Sequence, residues 1–142
     1  MTNLLKGIIE IDGFEIGPNT KPEEIENELA SKIQYKATSK SGEVQIFAFK
    51  NVLIVGRSFA IDLTFIKERL SDIRLDYMND ECWSFKKRYD EDCRWLRDVL
   101  GEPTIIGSHQ IAYKFDAVSV RVTHMENDPR SGSDEWIDIS FK

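Results

Sequence analysis

A chain of 142 residues, 41% hydrophobic and 31% charged, is sized for one domain, residues 1–142, whose core needs neither disulfide nor metal. Its formal net charge of −6 argues against nucleic acid as a partner, because a phosphate backbone is held by clustered lysine and arginine. The opening MTNLLKGIIEIDG is interrupted by Glu10 and Asp12, too soon for a signal peptide or a membrane span, so a cytoplasmic protein without membrane contact is expected.

The first organised feature is a hairpin. Asp12-Gly13 reads as a tight turn between extended pieces at Ile8 to Ile11 and Phe14 to Ile16, and Gly17-Pro18-Asn19 breaks the second piece. A short helix over about 21–31 follows. Thr20 with Glu23 three residues on has the form of a capping box, Pro22 is tolerated in a first turn, and Glu23 and Glu24 suit the positive end of the helix dipole. Ile25, Leu29 and Ile33 supply its apolar side.

Residues 44–77 are rich in β-branched and aromatic types, which predicts strands at about 44–49, 52–55, 58–66 and 71–77 with turns at Asn51, Gly56-Arg57 and Lys67 to Leu70. Phe59, Ile61, Leu63 and Phe65 alternate with a mixed set, so one face is to be covered. A long helix over about 80–100 comes next. Phe85, Tyr89, Cys93, Leu96 and Leu100 recur at helical spacing and form the expected core stripe, extended by Trp95 and Val99, with Gly101 as the stop. Phe85 is accordingly expected to be a core residue. Pairs such as Glu91-Asp92 and Glu23-Glu24 read as solvated helix surface. Two final strands alternate through Val118, Val120, Val122 and through Ile137, Ile139, Phe141, a hairpin across MENDPRSGSD. The sum is an α+β fold, a mostly antiparallel sheet of about five to seven strands packed against one long and one short helix.

The only two cysteines are Cys82 and Cys93. Within one helix they would lie roughly 16 Å apart, at about 1.5 Å per residue, far beyond the roughly 7 Å that a disulfide spans. Both are expected to be reduced, with Cys93 a small core residue.

The chain carries few residues of recognisable chemistry. The chain has no Gly-rich phosphate loop, no G-x-S-x-G elbow, no H-E-x-x-H pair and no C-x-x-C. His109 reads as a surface loop residue and His124 as a histidine at the edge of the core. The loop from His124 to Glu135 is rich in oxygen ligands, yet it lacks the acid spacing of an EF-hand. No catalytic, cofactor or metal residue is assigned, and no cofactor is expected.

Charge is placed unevenly. Residues 10 to 28 carry seven acids against Lys21, and residues 126 to 138 carry five against Arg130. Two acidic zones of this kind suit docking on a basic protein. The candidate partner-binding residues are Glu23, Glu24 and Glu28 from the first zone and Asp128, Asp134 and Glu135 from the second. Trp83 and Trp136 join them as anchors, because each departs from the core stripe of its element.

The stretches GFEIGPNTKPEE, FKNVLIVGRSFAIDLTF, WLRDVLGEP and DPRSG together resemble a group of small bacterial α+β proteins with a G-x-F-x-I-G-P start, a W-L-x-x-x-L-G helix end and a D-P-K-S-G loop, where Arg130 replaces the lysine. These motifs mark turns and caps and imply no catalysis. In size and charge the chain is similar, by analogy, to immunity proteins that neutralise antibacterial toxins. The favoured expectation is therefore a non-enzymatic cytoplasmic inhibitor that meets a basic toxin domain through an acidic surface. The competing expectations are a divergent small hydrolase or transferase using His124 with Asp128 or Asp134, and a structural or regulatory domain.

Overall fold

The computed structural model describes residues 1–79, 81, 83–128 and 132–142, and of their side chains all but those at 125–134. Cys82, Arg130 and most of the DPRSG motif lie outside the described residues. Among the described residues, ten strands and two helices follow one another: β1 (Ile9–Ile11), β2 (Phe14–Ile16), α1 (Pro22–Glu28), β3 (Tyr35–Thr38), β4 (Val44–Ile54), β5 (Arg57–Ile66), β6 (Arg69–Tyr77), α2 (Phe85–Leu100), β7 (Ile105–Ile106), β8 (Gln110–Lys114), β9 (Val118–Asp128) and β10 (Gly132–Phe141). β1 and β2 make a separate hairpin, and the other eight strands form one antiparallel sheet in the order β3-β4-β5-β6-β10-β9-β8-β7. The fold is α+β.

Three of the hairpins close with two-residue turns in which both residues have positive φ: Asp12-Gly13 at 51° and 84°, Val55-Gly56 at 43° and 78°, and Lys67-Glu68 at 51° and 64°. This backbone twist matches that of the flanking strands. Asp12-Gly13 suits it, whereas Val55 is β-branched and poorly suited to the left-handed region. Its carbonyl accepts the Trp95 Nε1–H of α2 at 3.2 Å, which pins the turn.

The strands predicted at 44–49 and 52–55 are one strand. The register slips between Phe49 and Val52, so Lys50 and Asn51 form a bulge, with Asn51 at φ 57°. The sheet has eight strands, more than the five to seven expected, and β3, β7 and β8, five residues long at most, are too short to show as periodic runs.

Strand alternation decides the core. Phe47, Phe49, Phe59, Ile61, Leu63, Phe65, Ile73, Leu75, Val120, Val122, Ile137 and Ile139 are all 1% exposed or less and share one face. Fully burying a side chain of this size contributes roughly 1.5–3 kcal/mol. That face is covered from two sides. α2 packs against β9 and β10, bringing Cys93, Trp95 and Leu96 into the core, while the N-terminal segment supplies Leu4, Ile9, Ile11, Ile16, Ile25 and Leu29. Gly7, at φ 69°, caps the 3-10 turn Leu4–Lys6 where a Cβ would lie 2.5 Å from the Phe141 ring, so no larger residue fits.

Both helices depart in detail from the expected ones. α2 begins at Phe85, with Ser84 Oγ accepting the Lys87 N–H at 3.1 Å as the N-cap. Phe85, expected in the core, is 41% exposed, because the first turn precedes the point where the helix meets the sheet. The inward stripe is rotated toward Asp92, Cys93, Trp95 and Leu96. α1 ends at Glu28 and its N-cap is Lys21, not Thr20. Thr20 is buried, and its Oγ1 accepts the Gly17 N–H at 3.0 Å, which holds the preceding turn.

Candidate functional site

The first acidic zone is partly engaged with itself. Glu23, Glu24 and Glu28 are all exposed on α1. The Glu24 carboxylate accepts the Lys21 N–H at 3.0 Å while the Glu24 N–H returns to the Lys21 carbonyl at 3.1 Å, so this acid closes the helix end. Glu26 pairs with Lys36, and Glu10 and Glu15 both pair with the amino group of Met1. Trp83 is half-buried beside the Tyr77 ring, 5.8 Å between centroids, with Lys87 Nζ 4.8 Å from its own centroid. Its indole N–H donates to Glu81.

The second zone divides by strand parity. The side chains of Asp128 and Asp134 lie outside the described residues. Glu135, expected on an acidic surface, is 2% exposed and points into the core. The reason is alternation: Glu135, Ile137 and Ile139 share one face of β10, whereas Trp136, Asp138 and Ser140 share the other.

On that other face the register assembles a charged platform. Asp62 of β5 lies opposite Arg74 of β6, Arg74 opposite Asp138 of β10, and Asp138 opposite Arg121 of β9. The Arg74 guanidinium stacks over the Trp136 ring at 3.9 Å from its centroid, a geometry that favours cation–π attraction. Trp136 Nε1–H donates to Asp138 Oδ2 at 2.8 Å, Arg121 Nη2 approaches the same oxygen at 3.8 Å, and Arg74 Nε lies 3.5 Å from Asp76. Asp72 lies opposite Ser140 on the same face. Four aspartates against two arginines leave this platform net negative. The Asp72 carboxyl registers the excess: burial, followed by the Asp138 charge, pushes its pKa up, and Arg74 only partly opposes them. α2 lies against the opposite face of the sheet, so the platform faces solvent.

Beneath α2 is a second polar cluster, in the interior. Asp92, expected on the solvated side of the helix, is fully buried. Arg57 Nη1 from β5 donates to Asp92 Oδ1 at 2.8 Å, and this guanidinium lies 3.8 Å from the Tyr77 ring centroid. Arg88 Nε lies 3.6 Å from Glu135 Oε2. Burial, then the Asp92 contact, drives the Glu135 pKa far above the ordinary carboxylate range, with Arg88 opposing. His124 faces Glu135 across the β9–β10 ladder, is 5% exposed, and stacks on Tyr89 with centroids 5.8 Å apart. Burial also pushes the Cys93 thiol up to about 11, so little thiolate forms near neutral pH.

A depression of about 780 Å³ lies elsewhere. Glu10, Asp12, Lys32 and Lys50 rim it over a floor of Ile11, Phe49 and Val52. His124 does not line this depression or three smaller ones among the described residues. No group of three or more histidines, cysteines and acids that could hold a metal ion occurs among those residues, and no helix there is long and apolar enough to cross a membrane. The outer platform can steer a cationic surface and anchor it on one aromatic ring. Of its members, only Trp136 was a candidate from sequence. Asp62, Asp72, Arg74 and Asp76 were missed, although the period-two pattern of polar residues in β5 and β6 carried the signal. Comparison with family models, curated proteins and solved structures finds no match to this chain.

Proposed function

We propose that this chain is a non-enzymatic binding protein of the immunity type, acting in the cytoplasm by holding a basic toxin domain against the outer face of its sheet. The observation that carries this reading is the solvent-facing Trp136–Arg74 stack ringed by Asp62, Asp72, Asp76 and Asp138. An excess of acids on an open face accelerates encounter with a cationic partner, and a half-buried indole beside them supplies the short-range contact. The partner's chemistry follows from charge: it presents lysine and arginine to this face. A hydrolase or transferase built on His124 would need that imidazole open to substrate, and it lies beneath Tyr89.

The test is protection of growth. Cells producing the product of the gene immediately upstream are grown with and without this chain, and with a variant carrying Asp62→Lys and Asp72→Lys. Protection by the wild type, lost in the double variant, is the expected result. For the purified pair, the association rate should fall at least tenfold in the variant and should also fall as salt rises. Full protection by the double variant, with an association rate indifferent to salt, would remove the platform from the account.

A further inference from the structure

The strand order β3-β4-β5-β6-β10-β9-β8-β7 is divided at the line between β6 and β10 into two halves of four strands. One row of cross-strand partners crosses that line on the outer face. Its charged centre is Asp62 and Arg74 on one side and Asp138 and Arg121 on the other. Beyond these lie Ala48 and then Tyr35 toward β3, and Ala112 and then Ile105 toward β7. The signs of the charges alternate across the centre, so the two halves of the row are complementary and not alike. Tyr35 and Ile105, at its ends, are 63% and 39% exposed.

A twofold axis parallel to the strands, over the β6–β10 line, turns this face onto a second copy of itself. β6 of each copy then faces β10 of the other, β5 faces β9, β4 faces β8 and β3 faces β7. Arg74 meets Asp138 and Asp62 meets Arg121, while Ala48 meets Ala112 and Tyr35 meets Ile105. Asp72 is opposite Ser140 within the sheet and meets that hydroxyl in the other copy, and Asp76, one residue beyond the Leu75–Ile137 pair, falls over Trp136. None of the four platform acids therefore meets another acid. A twofold axis laid along the row would instead set each charge against itself, an arrangement that like-charge repulsion disfavours. Around the charges the face carries short side chains, Ala48, Ala60, Thr64, Ser119 and Ser140, each half-buried, so a second sheet can come close.

We propose that the outer face of the sheet is a self-complementary surface on which two copies of this chain stack face to face about that axis. Sheets stacked in this way lie about 10 Å apart with strand directions within about 30°. Eight strands at about 4.8 Å spacing make the face roughly 34 Å wide, room for the roughly 800 Å² per partner of a specific interface. The dimer does not rest on the binding reading, although a basic partner that takes the platform would displace the second copy.

Exchanging charge between Asp62 and Arg121 tests the arrangement. Sedimentation velocity of the full chain, with no other protein present, is run at low ionic strength and up to about 1 mM, the weak end of specific association. The wild type is expected to dimerise. Asp62→Arg sets two cations together and Arg121→Asp sets two anions together, so each variant alone should have a dissociation constant at least about tenfold higher. Mixed in equal amounts, the two variants should form a heterodimer as tight as the wild type, because both contacts then pair opposite charges. A wild type that stays monomeric overturns the proposal, as does a dimer indifferent to both substitutions or a mixture of the folded variants that stays monomeric. Growth protection is read separately, so the binding reading and the dimer can each fail alone. Should either charge variant not fold, Tyr35→Glu at the exposed end of the row decides: it is expected to raise the dissociation constant at least about tenfold, and an unchanged constant overturns the stacked dimer.

Discussion

β10 carries two regions that place their acids in opposite settings. Asp138, on the outer face, lies beside Trp136, Arg121 and Arg74. Glu135, three residues earlier and on the inner face, is buried under α2, where burial, then Asp92, pushes its pKa up. The lesson is that acid content along a chain is not surface charge. The parity of a strand decides which acids present a field and which are buried.

The widest separation between the two regions should come from deleting one acid in each. Asp92→Ala leaves the partly buried Arg57 without its carboxylate and is expected to cost about 3–5 kcal/mol in urea unfolding. Asp62→Ala on the platform should stay within about 0.5 kcal/mol. Equal costs would erase the distinction between interior and surface acids.

The next test sharpens the boundary along α2. Leu96→Ala, fully buried, should cost about 2–5 kcal/mol through a core cavity. Phe85→Ala, at 41% exposure, should cost under about 1 kcal/mol, which reverses what the periodicity of the helix alone implies. A large loss at Phe85 would mean that the first turn is docked.

These contrasts show how much was legible beforehand. The Asp12-Gly13 hairpin, the existence and stop of α2, and the pairing of the last two strands all follow from local chemistry, namely turn residues, helical spacing and alternation. Trp136 was also legible as a residue that leaves the core face of its strand. Asp92 was not, because its burial is decided by Arg57, 35 residues earlier, a tertiary partner that no local pattern announces. Glu135 was legible in principle: counting back from Ile139 and Ile137 places it inward, and its charge was given more weight than its parity. The platform was missed for a related reason. Asp62, Arg74 and Asp138 become neighbours only once the strand order β5-β6-β10 is known, and β6 and β10 are far apart in sequence.

Two smaller effects probe the turns and caps that hold the platform in place. Val55→Asn puts an Asn-Gly pair into a two-residue turn whose first residue already has φ 43°, relieving a left-handed penalty of about 1–2 kcal/mol. Because Val55 is 53% exposed, little packing is lost, and a net gain of about 1 kcal/mol in thermal or urea unfolding is expected. Glu24→Lys removes the acceptor for the Lys21 N–H and should cost about 1 kcal/mol. Glu28→Lys, at the far end of the same helix, should be neutral or slightly favourable. Identical behaviour of the two reversals would deny Glu24 its capping role.

The central claim, that the outer face of the sheet is the cation-seeking surface, can be tested without knowing the partner. A nitrogen-15-labelled sample is titrated with a hexalysine peptide at low ionic strength, where a surface field is least screened, and the shifted signals are mapped. The account predicts that the largest shifts fall on Asp62, Asp72, Arg74, Asp138 and the Trp136 indole, and that they vanish on adding salt. Shifts concentrated at Glu23, Glu26 and Glu28 of α1, or spread evenly over the molecule, would contradict it.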